Sequence, residues 1–329
     1  MAPREARTGA CRLASGEIGL QAAKIRIGTR GSPLALAQAR QVARELTAAH
    51  GLAEGQCELV VIKTTGDRIT DRPLIEAGGK GLFTKELEEA LFSGGIDLAV
   101  HSMKDMPAEL PAGLAIASIL EREDPRDAFV SLKYGSLDEM PAGAIIGTSS
   151  PRRQAQALRA RPDLEVVGFR GNVETRLRKL EEGVADATFL ACAGLNRLGL
   201  SQHITAVMST SVMLPAVAQG AIGIEIRTDD GTTAQLVSAL NDADTSVCVA
   251  AERAYLAQLE GSCRTPIAGF AELRGGLLHV RGEILSTDGR HAHAAEVTAA
   301  ADAGSAAALG EELAGLVLAS AGPGFFATA

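Results

Sequence analysis

The chain has 329 residues, a length that suggests two or three domains, and its 46% hydrophobic and 22% charged residues are ordinary for a globular protein. Aromatic residues make up only 3%, there is no Trp, and the net charge is -8, so base stacking and non-specific attraction to nucleic acid are disfavoured. No apolar run is long enough to span a membrane, and the five cysteines include no CxxC pair, which argues against a disulfide framework or a zinc site. We therefore expect a cytoplasmic protein that has no metal and binds neither membrane nor nucleic acid.

Residues 1–23 have mixed polarity and no apolar segment of the kind that secretory signals carry. A transit segment is one interpretation of this stretch. We expect instead a disordered extension.

A strand followed by a helix start is found twice in the sequence. Residues 25–29 predict a short strand, after which Ser32 suits an N-cap and Pro33 the first helical position. Residues 144–148, followed by Ser150 and Pro151, repeat this pattern and lead into a second helix rich in Gln, Ala, Leu and Arg. Chance similarity is the alternative to an internal duplication.

A second similarity follows each copy in the same order. Predicted helices at 84–92 and 173–182, the latter with Asn172 as N-cap, end near glycines and lead into buried strands within 95–100 and 183–190. The pattern predicts two similar α/β domains with helices packed on a sheet. Because ligands bind at the carboxyl ends of strands in such sheets, two facing domains would form a binding cleft.

The remaining segments predict a lid and a third domain. Residues 64–81 are rich in Gly and show little hydrophobic periodicity, which suggests a lid over the cleft or a plain surface loop. Residues 221–227 predict a buried strand. Predicted helices at 233–241, 245–260 and 306–318, with alternating strand patterns across 264–298, then indicate a small α+β domain.

The distribution of arginines predicts an anion-binding cleft. Arg152 and Arg153 lie in the first turn of a predicted helix, where the helix dipole favours acidic residues. Guanidiniums beside the free N–H groups of a helix start form a site for anions. Three further arginines lie at predicted strand ends and helix starts: Arg30, Arg170 and Arg176. Arg197 lies in a predicted loop after a strand. Each could be a surface residue, but together they indicate a site for a polycarboxylate.

Polar residues also cluster after the strand that ends near Val100. Lys104 and Asp105 follow it directly, and Asp105 could stabilise a cation or relay a proton. An ordinary surface turn is the alternative for this pair. His101 is expected to be a satisfied hydrogen-bonding group, and Ser102 has no evident partner for nucleophilic work.

Cys263 differs from the other cysteines in its surroundings. It lies in a segment of small residues beside Arg264, and a neighbouring cation favours the nucleophilic thiolate. An inert loop cysteine is the alternative. Cys57, Cys192 and Cys248 lie among apolar residues and are expected in the core.

Eight segments together resemble the porphobilinogen deaminase family. They are IGTRGSPLA at 27–35, GGKGLF at 78–83, HSMKD at 101–105, EREDPRDA at 121–128, GTSS at 147–150, RGNV at 170–173, QGA at 219–221 and EGSC at 260–263. The resemblance extends in order from about Lys24 to the end of the chain. Because several of these motifs are long, their joint match is far more specific than any single one.

The resemblance implies roles for individual residues. Asp105 corresponds to the catalytic carboxylate, and Cys263 to the residue that holds a dipyrromethane cofactor through a thioether. Other cofactor contacts are implied for Lys104, Ser32, Thr148, Ser150, Arg152, Arg153, Asn172 and Gln219. Substrate contacts are implied for Arg30, Arg170, Arg176, Ser149, Lys80 and Arg197.

The family's fold is similar to that of periplasmic binding proteins: two similar α/β domains that form a cleft, with a small α+β C-terminal domain. After the extension at 1–23, this implies a first domain of 24–121 and 219–240, a second of 122–218 and a third of 241–329. The implied activity is a transferase that condenses four porphobilinogen units to hydroxymethylbilane with release of ammonia, as a cytoplasmic monomer. Two alternatives stay open on the residues alone: a non-enzymatic anion-binding protein, and a cysteine hydrolase that uses Cys263 with His101.

Overall fold

The computed structural model describes residues 24–68, 81–259, 266–302, 304–322 and 325, and every structural statement below concerns these residues. In chain order, the strands and helices are β1 (Ile25–Arg30), α1 (Pro33–His50), β2 (Cys57–Ile62), α2 (Thr65–Arg68), α3 (Lys85–Phe92), β3 (Leu98–Ser102), β4 (Leu114–Ile119), β5 (Asp127–Ser131), β6 (Ile145–Gly147), α4 (Pro151–Ala160), β7 (Glu165–Val167), α5 (Val173–Glu181), β8 (Ala187–Ala191), α6 (Cys192–Arg197), β9 (Ala206–Val207), β10 (Ile222–Arg227), α7 (Gly231–Ser238), α8 (Ala243–Gln258), β11 (Ile267–Arg274), β12 (Leu277–Leu285), β13 (Ala292–Ala300) and α9 (Ala306–Ala321). None of these helices is long and apolar enough to cross a membrane.

The predicted helix starts are confirmed. The Ser32 hydroxyl accepts a hydrogen bond from the Ala35 N–H at 3.3 Å, and Ser150 accepts one from Arg153 at 3.5 Å. Both helices then begin with Pro, whose missing N–H costs nothing in the first turn. Asn172 caps α5 in the same way, through its side-chain oxygen and the Thr175 N–H at 2.8 Å.

The duplication is confirmed by the topology of two five-stranded sheets. The first has the order β2-β1-β3-β10-β4 and the second β7-β6-β8-β5-β9. In each, the first three strands are parallel, and the fourth is antiparallel to its neighbours. The chain passes from the first sheet to the second between β4 and β5 and returns between β9 and β10.

Matching hydrogen bonds show that the two copies are built alike. In the first sheet, Asp97 accepts a bond from the Arg26 N–H at 2.7 Å and donates its own N–H to the Arg26 carbonyl at 2.9 Å. In the second sheet, Asp186 makes the same two bonds with Ile145, at 2.8 and 2.9 Å. In both copies, a glycine of positive φ, Gly94 or Gly183, ends the preceding helix.

The predicted α+β domain forms the C-terminal part of the chain. Its three strands pair antiparallel in the order β11-β12-β13, and α8 and α9 pack against them. Gly310 of α9 lies so close to α8 that a Cβ there would stand 2.1 Å from the Ala251 carbonyl oxygen. The core of this domain also takes in Met103 and Met106 from the segment after β3. The fold class is therefore confirmed, whereas the predicted domain boundaries remain a prediction.

Two local predictions differ from the structure. The segment 64–81, predicted to be irregular, contains the short helix α2, in which Asp67 accepts a hydrogen bond from the Thr64 N–H at 3.3 Å. Residues 69–80 lie outside the described residues, so the lid remains a prediction. Arg197, predicted in a loop, is the last residue of α6. The reason is that small buried residues such as Gly194 let β8 turn directly into a helix against α1.

Candidate functional site

Asp105 lies at the carboxyl end of a strand, as predicted. β3 ends at Ser102, and a short 3-10 turn, Met103–Asp105, follows it. Met103 and Met106 are buried beneath this turn, with 2% and 4% exposure. Met103 and Met106 are buried, whereas Lys104 and Asp105 between them are exposed to solvent.

Arg152 and Arg153, at the start of α4, both bind one buried carboxylate. An Arg152 Nη atom donates to Asp127 at 2.8 Å, and Arg153 donates through Nε and Nη at 2.9 and 2.7 Å. Remaining donors of the two residues reach the carbonyl oxygens of Leu214 and Phe189, each at 2.8 Å. Both arginines are only 5% exposed. The predicted anion site at the start of α4 therefore already holds one carboxylate of the chain itself, that of Asp127.

Asp127 is a site residue that the sequence analysis did not single out. Burial disfavours its charged form, but the two guanidiniums outweigh this and hold the pKa of Asp127 well below its usual value. A signal was available, because an acidic residue at the start of the buried strand β5 requires a cationic partner. The partner could not be named from spacing alone.

Gln219 connects the two sides of the site. Its side-chain N–H donates to Asp127 at 3.2 Å and to the Pro125 carbonyl at 2.8 Å. Its side-chain oxygen accepts from the Lys104 ammonium at 3.4 Å. Gln219 thus joins the turn after β3 of the first sheet to the arginine pair of the second sheet.

The electrostatics of Lys104 indicate that these groups lie near one another. Desolvation lowers the pKa of Lys104 to about 8, with opposing effects from Asp105 and Asp127 and further lowering by Arg153 and Arg152. The Lys104 side chain still reaches solvent, as expected for a residue on a cleft wall. An anionic ligand in the cleft would favour the charged ammonium.

Arg176, in the first half of α5, belongs to the same group. Its Nε donates to the Gly171 carbonyl at 2.9 Å, and no described carboxylate lies within ion-pair distance of it. Burial, together with nearby Arg153 and Arg170, lowers the pKa of Arg176 to about 10, while Asp105 acts in the opposite direction. Arg176 therefore carries a charge that the described chain compensates poorly.

The hydroxyl groups predicted at the site serve the local backbone. Thr148 accepts from the Ser150 N–H at 3.1 Å, and Ser149 accepts from the Phe169 N–H at 2.9 Å. These bonds, with the caps at Ser32, Ser150 and Asn172, shape the strand ends. Whether these side chains also contact a ligand remains a prediction.

Arg30 and Arg197 bind other groups of the chain. Arg30 pairs with Asp67 at 2.5 Å and lies over the Phe83 ring at 4.0 Å. Although burial opposes ionisation of Asp67, its bonds to Arg30 and Thr64 lower its pKa. Arg197 donates to the Gly220 carbonyl at 2.8 Å, beside Gln219. Their predicted roles in substrate binding remain predictions.

Of the groups named for the alternative activities, only His101 is described. Its Nε2 lies 2.9 Å from the Glu225 carboxylate, and both side chains are buried, so His101 is a satisfied hydrogen-bonding group as expected. Cys192 and Cys248 are buried, and burial raises the pKa of each to about 12, whereas Cys57 is half-buried. Cys263 and Lys80 lie outside the described residues.

The charges of this cleft suit a ligand with several carboxylates. Among the described residues, Lys104, Arg152, Arg153 and Arg176 interact electrostatically with Asp105 or Asp127, so that four cations share two carboxylates. Partial burial of Arg176 makes this surplus of positive charge costly until an anion binds. Across the described ranges, no three His, Cys, Asp or Glu side chains come together as metal ligands.

Comparisons with known proteins agree with this geometry. Residues 25–235 match the family model "Porphobilinogen deaminase, dipyromethane cofactor binding domain", and residues 246–319 match "Porphobilinogen deaminase, C-terminal domain". The porphobilinogen deaminase of Paracoccus denitrificans is 59% identical over 291 residues, which is 88% of this chain and 92% of the relative. That of Nitrobacter hamburgensis is 53% identical over 300 residues, or 91% and 94%. Among solved structures, the methionine-binding protein MetQ aligns with a TM-score of 0.43 and 15% identity over 66% of this chain and 89% of that chain, a likeness too low to bear on function.

Proposed function

The chain belongs to the porphobilinogen deaminase family, and we propose that it condenses four porphobilinogen units head to tail into hydroxymethylbilane with release of ammonia. The activity belongs to tetrapyrrole biosynthesis, and dipyrromethane is the cofactor. In this proposal, the protein is a transferase that works as a cytoplasmic monomer. The observation that carries it is the grouping of Lys104, Arg153 and Arg176 around Asp105, beside the bridge that Gln219 forms between Lys104 and Asp127.

Asp105 is the catalytic carboxylate in this proposal. When porphobilinogen loses its amine, the C–N bond breaks, the electron pair leaves with nitrogen, and a delocalised cation remains on the pyrrole. A carboxylate fixed beside that cation stabilises it, most strongly where the cleft excludes water. Asp105 can also hold the proton that the leaving amine requires. Its place at the end of β3, facing Arg176 and Lys104, suits both tasks.

The cationic side chains bind the acid groups of the substrate. Each pyrrole unit has one acetate and one propionate group, so a growing chain requires several cations. Arg170 and Arg176 are proposed as direct partners, with contributions from Arg30, Ser149, Lys80 and Arg197. Hydrogen bonds to charged groups contribute about 1.5–3 kcal/mol each, so the loss of one such partner should be measurable.

The dipyrromethane, when bound, supplies the free pyrrole position to which the first substrate unit is joined. Its own carboxylates fit the same positive cleft. We propose that Cys263 holds it through a thioether, and that the following residues orient it: Lys104, Ser32, Thr148, Ser150, Arg152, Arg153, Asn172 and Gln219. Because Gln219 already bridges Lys104 and Asp127, it can hold the first-sheet and second-sheet sides of the cleft together around the cofactor.

The intact mass of the purified protein tests the tether. The protein should weigh one dipyrromethane more than its sequence, and the extra mass should lie on the peptide that contains Cys263. Cys263→Ser should lose both the mass and the activity, because a hydroxyl is a far weaker nucleophile than a thiolate at neutral pH. Cys57→Ser, at a half-buried cysteine of the first sheet, is the matched control and should keep both. A fully active protein with the mass of the bare chain would refute the assignment of Cys263.

A further inference from the structure

The turn that carries Lys104 and Asp105 is held by a side chain of the C-terminal domain. An Arg253 Nη atom, on α8, donates to the carbonyl oxygens of Pro107 at 2.8 Å and Ala108 at 2.9 Å. Burial lowers the pKa of Arg253, and no carboxylate in the described ranges lies within ion-pair distance of it. The guanidinium is therefore partly desolvated while it binds two neutral backbone groups directly after the turn.

Among the described residues, the Met103 N–H also donates to the Ala221 carbonyl at 3.0 Å, which ties the start of the turn to the residue before β10. Within the turn, the Met106 N–H bonds to the Met103 carbonyl at 3.2 Å, and the Ser102 side chain makes no capping bond. Met103 and Met106 anchor one face of the turn in the core of the C-terminal domain. Arg253 adds an anchor on the chain as it leaves the turn. Restraints therefore lie on both sides of Asp105, and those on its C-terminal side include the Arg253 contact.

We propose that Arg253 is a positioning residue for Asp105. It fixes residues 103–108 against α8 and so keeps the Asp105 carboxylate close to Lys104 and Arg176. This inference rests on the proposed function, in which Asp105 is the catalytic group. The arrangement has a further consequence, because α8 ends at Gln258, only five positions before Cys263 in the sequence. The helix that holds the Asp105 turn therefore precedes the proposed cofactor tether closely in the sequence.

Steady-state kinetics on the cofactor-loaded protein test the proposal. Arg253→Met removes both hydrogen bonds but keeps an apolar stem, and it should lower kcat by roughly ten- to a hundredfold, because small misplacements of a catalytic group are costly. KM should change little, since the substrate-binding arginines are untouched. Arg253→Lys should recover part of the rate, because an ammonium can still donate to a carbonyl. Arg290→Met, at an arginine whose side chain is 82% exposed, is the control and should behave as wild type.

Two further measurements separate positioning from general stabilisation. Hydrogen exchange on the loaded protein without substrate should be faster at residues 103–108 in Arg253→Met and unchanged in β11–β13. In an Asp105→Glu background, where the carboxylate is already displaced, Arg253→Met should lower kcat by a much smaller factor than in wild type. Equal factors in both backgrounds, or unchanged exchange at 103–108, would overturn the proposal. Should Arg253→Met not fold, the same two measurements on Arg253→Lys decide the matter. The wild-type protein could also prove to form no hydroxymethylbilane while exchange at 103–108 is still faster in Arg253→Met. That result would refute the proposed function but leave the Arg253 contact intact.

Discussion

Replacing Asp127 by Asn should destabilise the protein strongly. The carboxylate accepts bonds from Arg153, Gln219 and Arg152, and it is fully buried. An Asn amide can accept on one side only, so its NH2 group would face the N–H donors of Arg152 or Arg153. Removing one partner from a buried ion pair costs about 3–5 kcal/mol, because the remaining charge is uncompensated. We expect a loss of that size in the free energy of unfolding.

The assay is urea unfolding followed by far-ultraviolet circular dichroism, since the chain has no Trp for fluorescence. Asp163→Asn is the matched control, because Asp163 binds Arg161 with a similar double contact, at 2.8 and 2.6 Å, on the surface. It should change stability far less, as exposed pairs contribute little. Similar losses for the two variants would contradict the buried-pair argument.

The difference in unfolding free energy between wild type and Asp127→Asn should also depend on pH. The pKa of Asp127 is lowered in the folded state, so its stabilisation is complete above the unfolded value of about 3.9 and is lost as the pH falls through the lower folded value. The gap in unfolding free energy between wild type and Asp127→Asn should therefore be largest near neutral pH and narrow below about pH 4. A gap that widens in acid would show that the sign of this reasoning is wrong.

The remaining predictions concern turnover and ligand binding. Asp105→Asn should fold and keep its cofactor, by intact mass, yet lose nearly all turnover; a variant that retains most of its activity would make Asp105 structural only. Arg153→Lys should change the steady-state kinetics, because one ammonium cannot reproduce the three-donor contact with Asp127 and Phe189. Unchanged kinetics together with unchanged migration of enzyme–substrate adducts on native gels would contradict this. Because the pKa of Lys104 is about 8, substrate affinity should fall as the pH rises through that value, and this fall should be absent in Lys104→Met.

Local features of the site could be predicted from short stretches of sequence. Ser32 and Ser150 before Pro, and Asn172 before a helical pattern, determine helix starts through bonds to residues three positions away. Asp105 could be placed at a strand end because a buried run precedes it directly. The role of Arg30 could not be derived in this way, because Asp67 and Phe83, which bind it, lie far along the chain.

The sequence by itself determined the duplication and the α/β class of both halves, and it predicted a cationic cleft, because these depend on periodicity, capping and residue type within short windows. Only the tertiary structure decided which charges are already compensated. Asp127 is separated from Arg152 by 25 residues and from Gln219 by 92, and Arg253 is separated from Pro107 by 146. Spacing carries no information about such pairs, since they meet only where the two sheets, their crossovers and helix α8 pack together. Which arginines pair with carboxylates of the chain is therefore a property of packing.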